Sequence, residues 1–345
     1  MMKRIFYTAI LAAALIGFGT TGVLADDPRQ PQVTNLWAFG DSLTDSGNLF
    51  FLSGNTEPPS PPYFNGRFSD GPTWIEPFAE RLGLDIDFDI PFANNYAIGG
   101  AFTGFDGEAG PGLGVLSQVN LFLATVGSVP PDDLMVIWAG ANDYFFINAP
   151  PNVLVNDAIN NLATAVSNLA LMGNARRFLV PNLPKLGDLP LARLQGDPAV
   201  VAGLNALTAA HNAALAETMA NLSATLGVEI VIVNVNAALA ELLTRQHLFG
   251  YDNVSLPCLI QQADGSRIPS GACPPDGASF DSTGVLFWDL VHPTRTAHEL
   301  LAAFAHATLV ASRGLPETVF DPERISTQIA IGKMRAAGAT AAPRP

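Results

Sequence analysis

Two cysteines in 345 residues, and 17 lysines and arginines against 31 aspartates and glutamates, set the first limits on this chain. The shortage of cations leaves a formal net charge of −14, which disfavours nucleic acid and anionic membrane surfaces as electrostatic partners. No G-x-S-x-G occurs, so a nucleophile elbow of the α/β-hydrolase kind is excluded. No internal repeat or long linker divides the chain, and beyond the N-terminus no segment approaches the roughly 20-residue apolar span of a membrane helix. His298 and His306 stand near His292 without a Cys, Asp or further His to complete a recognised metal-ligand spacing. The run Asp85 to Ile90 opens like a calcium loop, but its sixth position is Ile90 instead of glycine and its twelfth is Tyr96 instead of glutamate. Gly110, Gly112 and Gly114 lack the strand-to-helix setting of a nucleotide fingerprint. Neither a metal nor a cofactor is expected.

What is present begins with a targeting pattern. Lys3 and Arg4 precede an apolar stretch from Ile5 to Phe18, and Val23-Leu24-Ala25 offers a cleavage site before Asp26. Residues 1–25 therefore read as a signal peptide, with an uncleaved anchor as the alternative; Gly17, Gly19 and Thr20 interrupt the apolar core. Cleavage would lower Lys+Arg from 17 to 15 and leave Asp+Glu at 31, a charge of −16. The expected product is exported, with one catalytic domain over 26–315 and an Ala-rich tail over 316–345. Export gives the cysteines a meaning: Cys258 and Cys273 lie 15 positions apart in an aperiodic stretch from Gly250 to Gly284. A loop that long is usually functional or pinned, and a disulfide would pin it; two buried thiols are the alternative.

Short apolar runs alternate with helical patterns along the rest. Strands are expected at Asn35 to Phe39, Asn95 to Ile98, Leu134 to Ala139, Arg177 to Val180 and Glu229 to Val233. Helices are expected at Thr73 to Arg81, Asp157 to Leu171, Ala199 to Leu226 and Thr296 to Ala311, the last opened by a capping box Thr296-Ala297-His298-Glu299. This alternation implies an α/β fold with a parallel sheet between two helical layers.

Chemistry-bearing residues gather at the ends of those runs. Ser42 lies just past the first strand in Phe39-Gly40-Asp41-Ser42-Leu43-Thr44-Asp45-Ser46-Gly47-Asn48, at the sheet edge where ligands bind in open parallel sheets. A serine hydroxyl needs a base, an orienter and oxyanion donors before it is a useful nucleophile. Asp289 and His292, three residues apart before the last helix, supply the first two. Asn95-Tyr96-Ala97-Ile98-Gly99-Gly100-Ala101 and Trp138-Ala139-Gly140-Ala141-Asn142-Asp143 supply an unobstructed backbone N–H and a carboxamide.

These four blocks, in this order, resemble the GDSL lipolytic enzymes, or SGNH hydrolases. Pro62-Tyr63-Phe64-Asn65-Gly66-Arg67-Phe68-Ser69-Asp70-Gly71-Pro72 is similar to the branch holding bacterial secreted lipases, phospholipases and acyltransferases and the plant lipases. The resemblance implies a three-layer, flavodoxin-like fold, Ser42 as nucleophile, Asp289 and His292 completing a triad, and Gly100 and Asn142 as oxyanion donors beside the Ser42 N–H. Gly99 is the rival of Gly100. The implied substrates are small-molecule or lipid esters. Aromatic residues trailing the blocks, Phe50, Phe102, Phe105 and Phe145, are candidates for an acyl pocket, and Arg67 for a salt bridge.

Overall fold

The computed structural model describes residues 33–261, 267–276 and 279–312, so the expected signal peptide and C-terminal tail lie outside the described residues. The chain opens with β1 (Leu36–Gly40), α1 (Asn48–Leu52), α2 (Ile75–Arg81) and α3 (Val115–Thr125). It continues through β2 (Leu134–Trp138), α4 (Ala141–Phe146), α5 (Pro151–Leu171), β3 (Arg177–Pro181), α6 (Pro190–Arg193), α7 (Pro198–Leu226), β4 (Glu229–Val233) and α8 (Val235–Thr244). Two small antiparallel pairs follow, β5 (Leu259–Gln261) with β6 (Arg267–Pro269) and β7 (Pro275–Asp276) with β8 (Ser279–Phe280), before α9 (Arg295–Ala311).

The four long strands pair in parallel in the order β1-β2-β3-β4. Their pleat splits the apolar residues between two faces. Phe39, Met135, Ile137, Phe178 and Val180 pack with α3, α5 and α7, whereas Leu36, Ala38, Val136, Leu179 and Val231 pack with α2 and α9. All five residues of β2 are buried, as a strand covered on both sides requires. Each such large side chain contributes about 1.5–3 kcal/mol of burial. The result is the α/β/α sandwich that the alternation implied.

The expected strand at Asn95 to Ile98 is corrected to a single parallel bridge, Ala38 to Asn95. Its backbone does lie along β1: Tyr96 N–H donates to the Ala38 carbonyl at 2.7 Å and Ile98 N–H to that of Gly40 at 3.1 Å. On its outer side the carbonyls of Asn95 and Ala97 accept from Asn48 Nδ2, both at 2.8 Å, so a side chain finishes the sheet edge. Counted as the second strand, this segment gives the order 2-1-3-4-5, the flavodoxin pattern, with its switch point between β1 and β2. The strands meet closely there: a Cβ on Gly40 would fall 2.2 Å from the Trp138 carbonyl oxygen.

Three further expectations change. α9 starts at Arg295 with Thr294 as N-cap, so Thr296 lies inside the first turn instead of at the cap, and the Thr294 hydroxyl, which donates to the Val285 carbonyl at 2.8 Å, makes no capping bond. The Arg295 N–H is met instead by Asp70 Oδ1 at 2.7 Å, from 225 residues away. α7 proves long and apolar enough, by length and composition, to cross a membrane, contrary to the sequence expectation. Its apolarity comes mostly from alanine, and Thr208, His211, Leu215 and Met219 form its buried face. The stretch after Gly250, expected as a long loop, holds the two β pairs, while the disulfide between Cys258 and Cys273 is present as expected, with Cα atoms 5.0 Å apart.

Candidate active site

The loop after β1 turns back on itself because Asp45 collects four backbone donors. Its Oδ1 accepts from Gly47 and Asn48 N–H at 2.7 and 2.6 Å, and its Oδ2 from Leu49 and Gly99 N–H at 3.1 and 2.7 Å. Asn95 Nδ2 reaches the Thr44 carbonyl at 2.7 Å. One buried polar cluster thus fixes the Ser42 loop against the Gly99–Gly100 turn. It also separates the rival glycines: Gly99 N–H is committed to Asp45, whereas Gly100 N–H and Ser42 N–H take part in no hydrogen bond among the described residues. Gly100 holds φ +74°, a left-handed backbone that glycine adopts readily.

After β2, Gly140 turns the chain at φ +127° into α4. Asn142 then places Nδ2 3.1 Å from the Ala101 carbonyl, leaving its second N–H uncommitted. Asp143 beside it accepts from Thr103 N–H and, at 2.6 Å, from Thr103 Oγ1, which ties the β2 loop to the glycine loop.

The base side is built differently. Asp289 and His292 sit on a tight loop closed by Trp288 N–H to the His292 carbonyl at 2.8 Å. Asp289 Oδ1 accepts from Val291 and His292 N–H at 2.9 and 2.8 Å. His292 Nδ1 lies 2.7 Å from Asp289 Oδ2, and its Nε2 lies 2.7 Å from Ser42 Oγ. The loop is braced by Cys258 and Leu259, whose N–H groups donate to Phe287 and Trp288 carbonyls at 3.0 and 2.8 Å. Ser69 Oγ braces it again at the Pro293 carbonyl, 2.9 Å away.

Sequence reasoning missed Tyr63. Its hydroxyl donates to Asp289 Oδ2 at 2.6 Å while its ring packs edge-on to Trp288 and under the Arg267 guanidinium. Only the apparent block Pro62 to Pro72 hinted at it, without naming a role. Burial pushes the Asp289 carboxyl up, but His292, the Tyr63 hydroxyl and the Val291 N–H outweigh it and hold it at about 2. Asp41, next to Ser42, shows the reverse: burial pushes it up to about 7 against the Leu43 N–H and His292.

Two cavities open at Ser42, and Asn142, Phe145, Val291 and His292 border both. One, of about 120 Å³, is almost wholly apolar and runs between α8 and α9. The other, of about 640 Å³, is a broader cleft that includes Gly100, Tyr63, Glu57, Glu108 and Arg267. Of the four aromatic candidates only Phe145 borders either. Phe50 packs against Gly66, where a Cβ would meet its ring carbons at 2.8 Å, and faces a separate depression. Phe102 is half-buried away from both cavities, and Phe105 is exposed. Arg67 forms its ion pairs with Glu76 and Asp89 at 2.9 and 2.8 Å. Among the described residues no group of three or more His, Cys, Asp or Glu is arranged to hold a metal.

A serine, an imidazole and a carboxylate in line at the carboxyl edge of a flavodoxin-like sheet define a hydrolase-type site. Residues 36–304 match the family described as GDSL-like Lipase/Acylhydrolase, and the chain belongs to that family. It is 30% identical over 340 residues to a phosphatidylcholine-sterol acyltransferase of Aeromonas hydrophila, covering 87% of this chain and 96% of that one. A GDSL esterase/lipase of Arabidopsis thaliana is 24% identical, over 80% of this chain and 88% of that protein. A solved GDSL-like lipase from Parabacteroides merdae overlaps 82% of this chain and 99% of its own, at 13% identity and a TM-score of 0.40.

Proposed function

We propose that the protein is an exported serine esterase that cleaves carboxylic esters through an acyl-enzyme. The observation that carries this reading is the unbroken line from Ser42 Oγ through His292 to Asp289, with 2.7 Å at each step. Ser42 Oγ attacks the ester carbonyl carbon as His292 Nε2 takes its proton. Asp289 accepts Nδ1–H, holds the ring in place and stabilises the imidazolium. The oxyanion accepts from Ser42 N–H, Gly100 N–H and the second Nδ2–H of Asn142. His292 returns the proton to the departing alcohol, and the acyl group stays on Ser42. Water, activated by the same imidazole, then releases the acid. Export is proposed from Lys3, Arg4 and the apolar stretch to Phe18.

A second reading, transfer of the acyl group to another alcohol, is supported by the broad cleft beside Ser42 and by the acyltransferase named among the relatives. It uses the same intermediate with an alcohol in place of water. Ser42→Ala should lower hydrolysis of p-nitrophenyl esters by about 10⁴-fold to 10⁶-fold with the fold retained. A folded Ser42→Ala protein that kept a tenth of the wild-type rate would overturn the mechanism. Labelling by an organophosphate, mapped to Ser42 by peptide mass, is the companion measurement.

A further inference from the structure

An ester diverges at its carbonyl carbon into an acyl chain and an alcohol, and at Ser42 the protein diverges into two cavities, one narrow and almost wholly apolar, the other wider and carrying charged side chains. The narrow one is framed by two helices that each turn one stripe toward it. α8 contributes Val235, Ala238, Leu239 and Leu242, at i, i+3, i+4 and i+7. α9 contributes Ala297, Leu300, Leu301 and Phe304 at the same spacing. In an ordinary helix pair such stripes fill the space between them; here they border about 120 Å³ that connects to Ser42. No charged side chain lies along those two stripes; the polar lining, Asp41, Ser42, Asn142 and His292, belongs to the catalytic end, so the length of the space offers no partner for a head group or a sugar hydroxyl. Glu57, Glu108 and Arg267 all lie on the broader cleft.

We propose, resting on the esterase reading above, that this cavity between α8 and α9 is the acyl-chain site, and that it takes an unbranched aliphatic chain while the alcohol occupies the broader cleft. The α8 stripe runs over eight residues, seven steps of 1.5 Å or roughly 10 Å, which matches an extended chain of about eight carbons. Each methylene added within that length should raise kcat/KM by up to about fourfold, the equivalent of burying one CH₂. Ala238, in the middle of the stripe, is the gauge: a larger side chain there shortens the cavity. Leu239 beside it has the opposite effect when truncated. This places the acyl chain along α8 and α9 with Phe145 bordering it, and not on Phe50, Phe102 or Phe105.

The test is the chain-length profile of kcat/KM on p-nitrophenyl esters from acetate to palmitate. Wild type should climb toward octanoate. Ala238→Trp should cut the octanoate-to-butyrate ratio by about tenfold to a hundredfold, and Leu239→Ala should move the maximum to a longer chain. If Ala238→Trp does not fold, Leu239→Ala and the milder Ala238→Leu decide. A profile that none of the folded α8 variants moves, or that moves instead with Phe146→Trp in the broad cleft, overturns the proposal. Octanoate binding to the Ser42→Ala protein, followed by calorimetry, separates it from the reading beneath it. Binding that Ala238→Trp abolishes supports the site even where ester turnover proves absent; no octanoate binding to Ser42→Ala, with ester hydrolysis by wild type intact, refutes the site alone.

Discussion

The two halves of the candidate active site are held by different kinds of structure. Ser42 and Asn142 follow β1 and β2, the strands that flank the switch point, so their placement is inherited from the sheet and its two packed faces. Asp289 and His292 follow no strand of that sheet. Their loop is held by hydrogen bonds from Cys258, Leu259, Ser69 and Tyr63, drawn from distant parts of the chain. The sheet side is therefore stable wherever the domain is folded. The loop side depends on a few specific tethers, most of them in a small buried cluster of Tyr63, Cys258, Leu259, Cys273 and Trp288 that is separate from the two cores of the sheet.

After the loss expected of Ser42→Ala, the largest effect again tests the sheet side's chemistry. Asn142→Ala should lower kcat by about 10²-fold to 10³-fold, because it removes one of the proposed oxyanion donors, together with the bond from its Nδ2 to the Ala101 carbonyl. KM should change little, and steady-state kinetics on one ester decide it; a change confined to KM would make Asn142 a binding residue only. On the loop side, Cys258→Ser with Cys273→Ser should cost about 3 kcal/mol of unfolding free energy, the scale for closing a loop of about 15 residues. Denaturant titration measures that, and peptide mass spectra without reductant test the pairing itself. The comparison sharpens if activity falls more than stability explains, since Cys258 and Leu259 brace the residues around Trp288.

The two sides also differ in how their carboxylates respond to pH. Asp289 is held at about 2 from an ordinary 3.8, so it stabilises the fold above about pH 4 and loses that contribution as pH falls toward 2. Asp41 is pushed up to about 7 from the same 3.8. It costs nothing when protonated, and its cost grows as pH rises from about 4 through 7, where the unfolded chain has already released the proton. Asp41→Asn keeps an oxygen for the Leu43 N–H, which Asp41 Oδ1 accepts at 3.1 Å. The full distance to about 7 is roughly 4 kcal/mol, and a buried amide keeps part of that cost, so the gain at pH 8 should be on the order of 2 kcal/mol. The gain should vanish near pH 4. Urea titrations at the two pH values check this, and an equal gain at both would contradict the burial argument.

The sequence marked the reactive residues of both sides, Ser42 and Asn142 past strand ends and Asp289 with His292 before the last helix, but not their surroundings. Strand ends are marked locally, by an apolar run that stops at glycine, and Ser42 and Asn142 stand just past such marks. The structure brings both to one edge with His292 and Asp289. What surrounds them was not local. Phe50, Phe102 and Phe105 are near the blocks in sequence, but the turns that follow each block decide which way a side chain points, and the two residues from Gly100 to Phe102 suffice to put a ring on another surface. The cap of α9 by Asp70, 225 residues away, and the closing of the sheet edge by Asn48 are tertiary choices that no periodicity reports. The apolar stripe of α8 reads in sequence as an ordinary amphipathic helix, because a cavity leaves no mark on the residues that border it.

Tyr63 is the smallest and most discriminating cut, because it removes one hydrogen bond and leaves the ring. Its hydroxyl is buried and donates to the same Asp289 oxygen that His292 Nδ1 approaches at 2.7 Å. Tyr63→Phe should keep the packing on Trp288 and Phe68, so stability should fall by about 1 kcal/mol, the usual net value of one such bond. The carboxylate loses a fixed donor and with it part of the restraint on its angle to the imidazole, which argues for a fall in kcat of about tenfold with KM nearly unchanged. A residue that served only to fill space would leave kcat intact in the phenylalanine variant and lose it in Tyr63→Ala. If both variants lose activity only in proportion to folded protein, Asp289 is adequately held by its own backbone bonds from Val291 and His292, and the loop side is more self-sufficient than its long-range tethers imply.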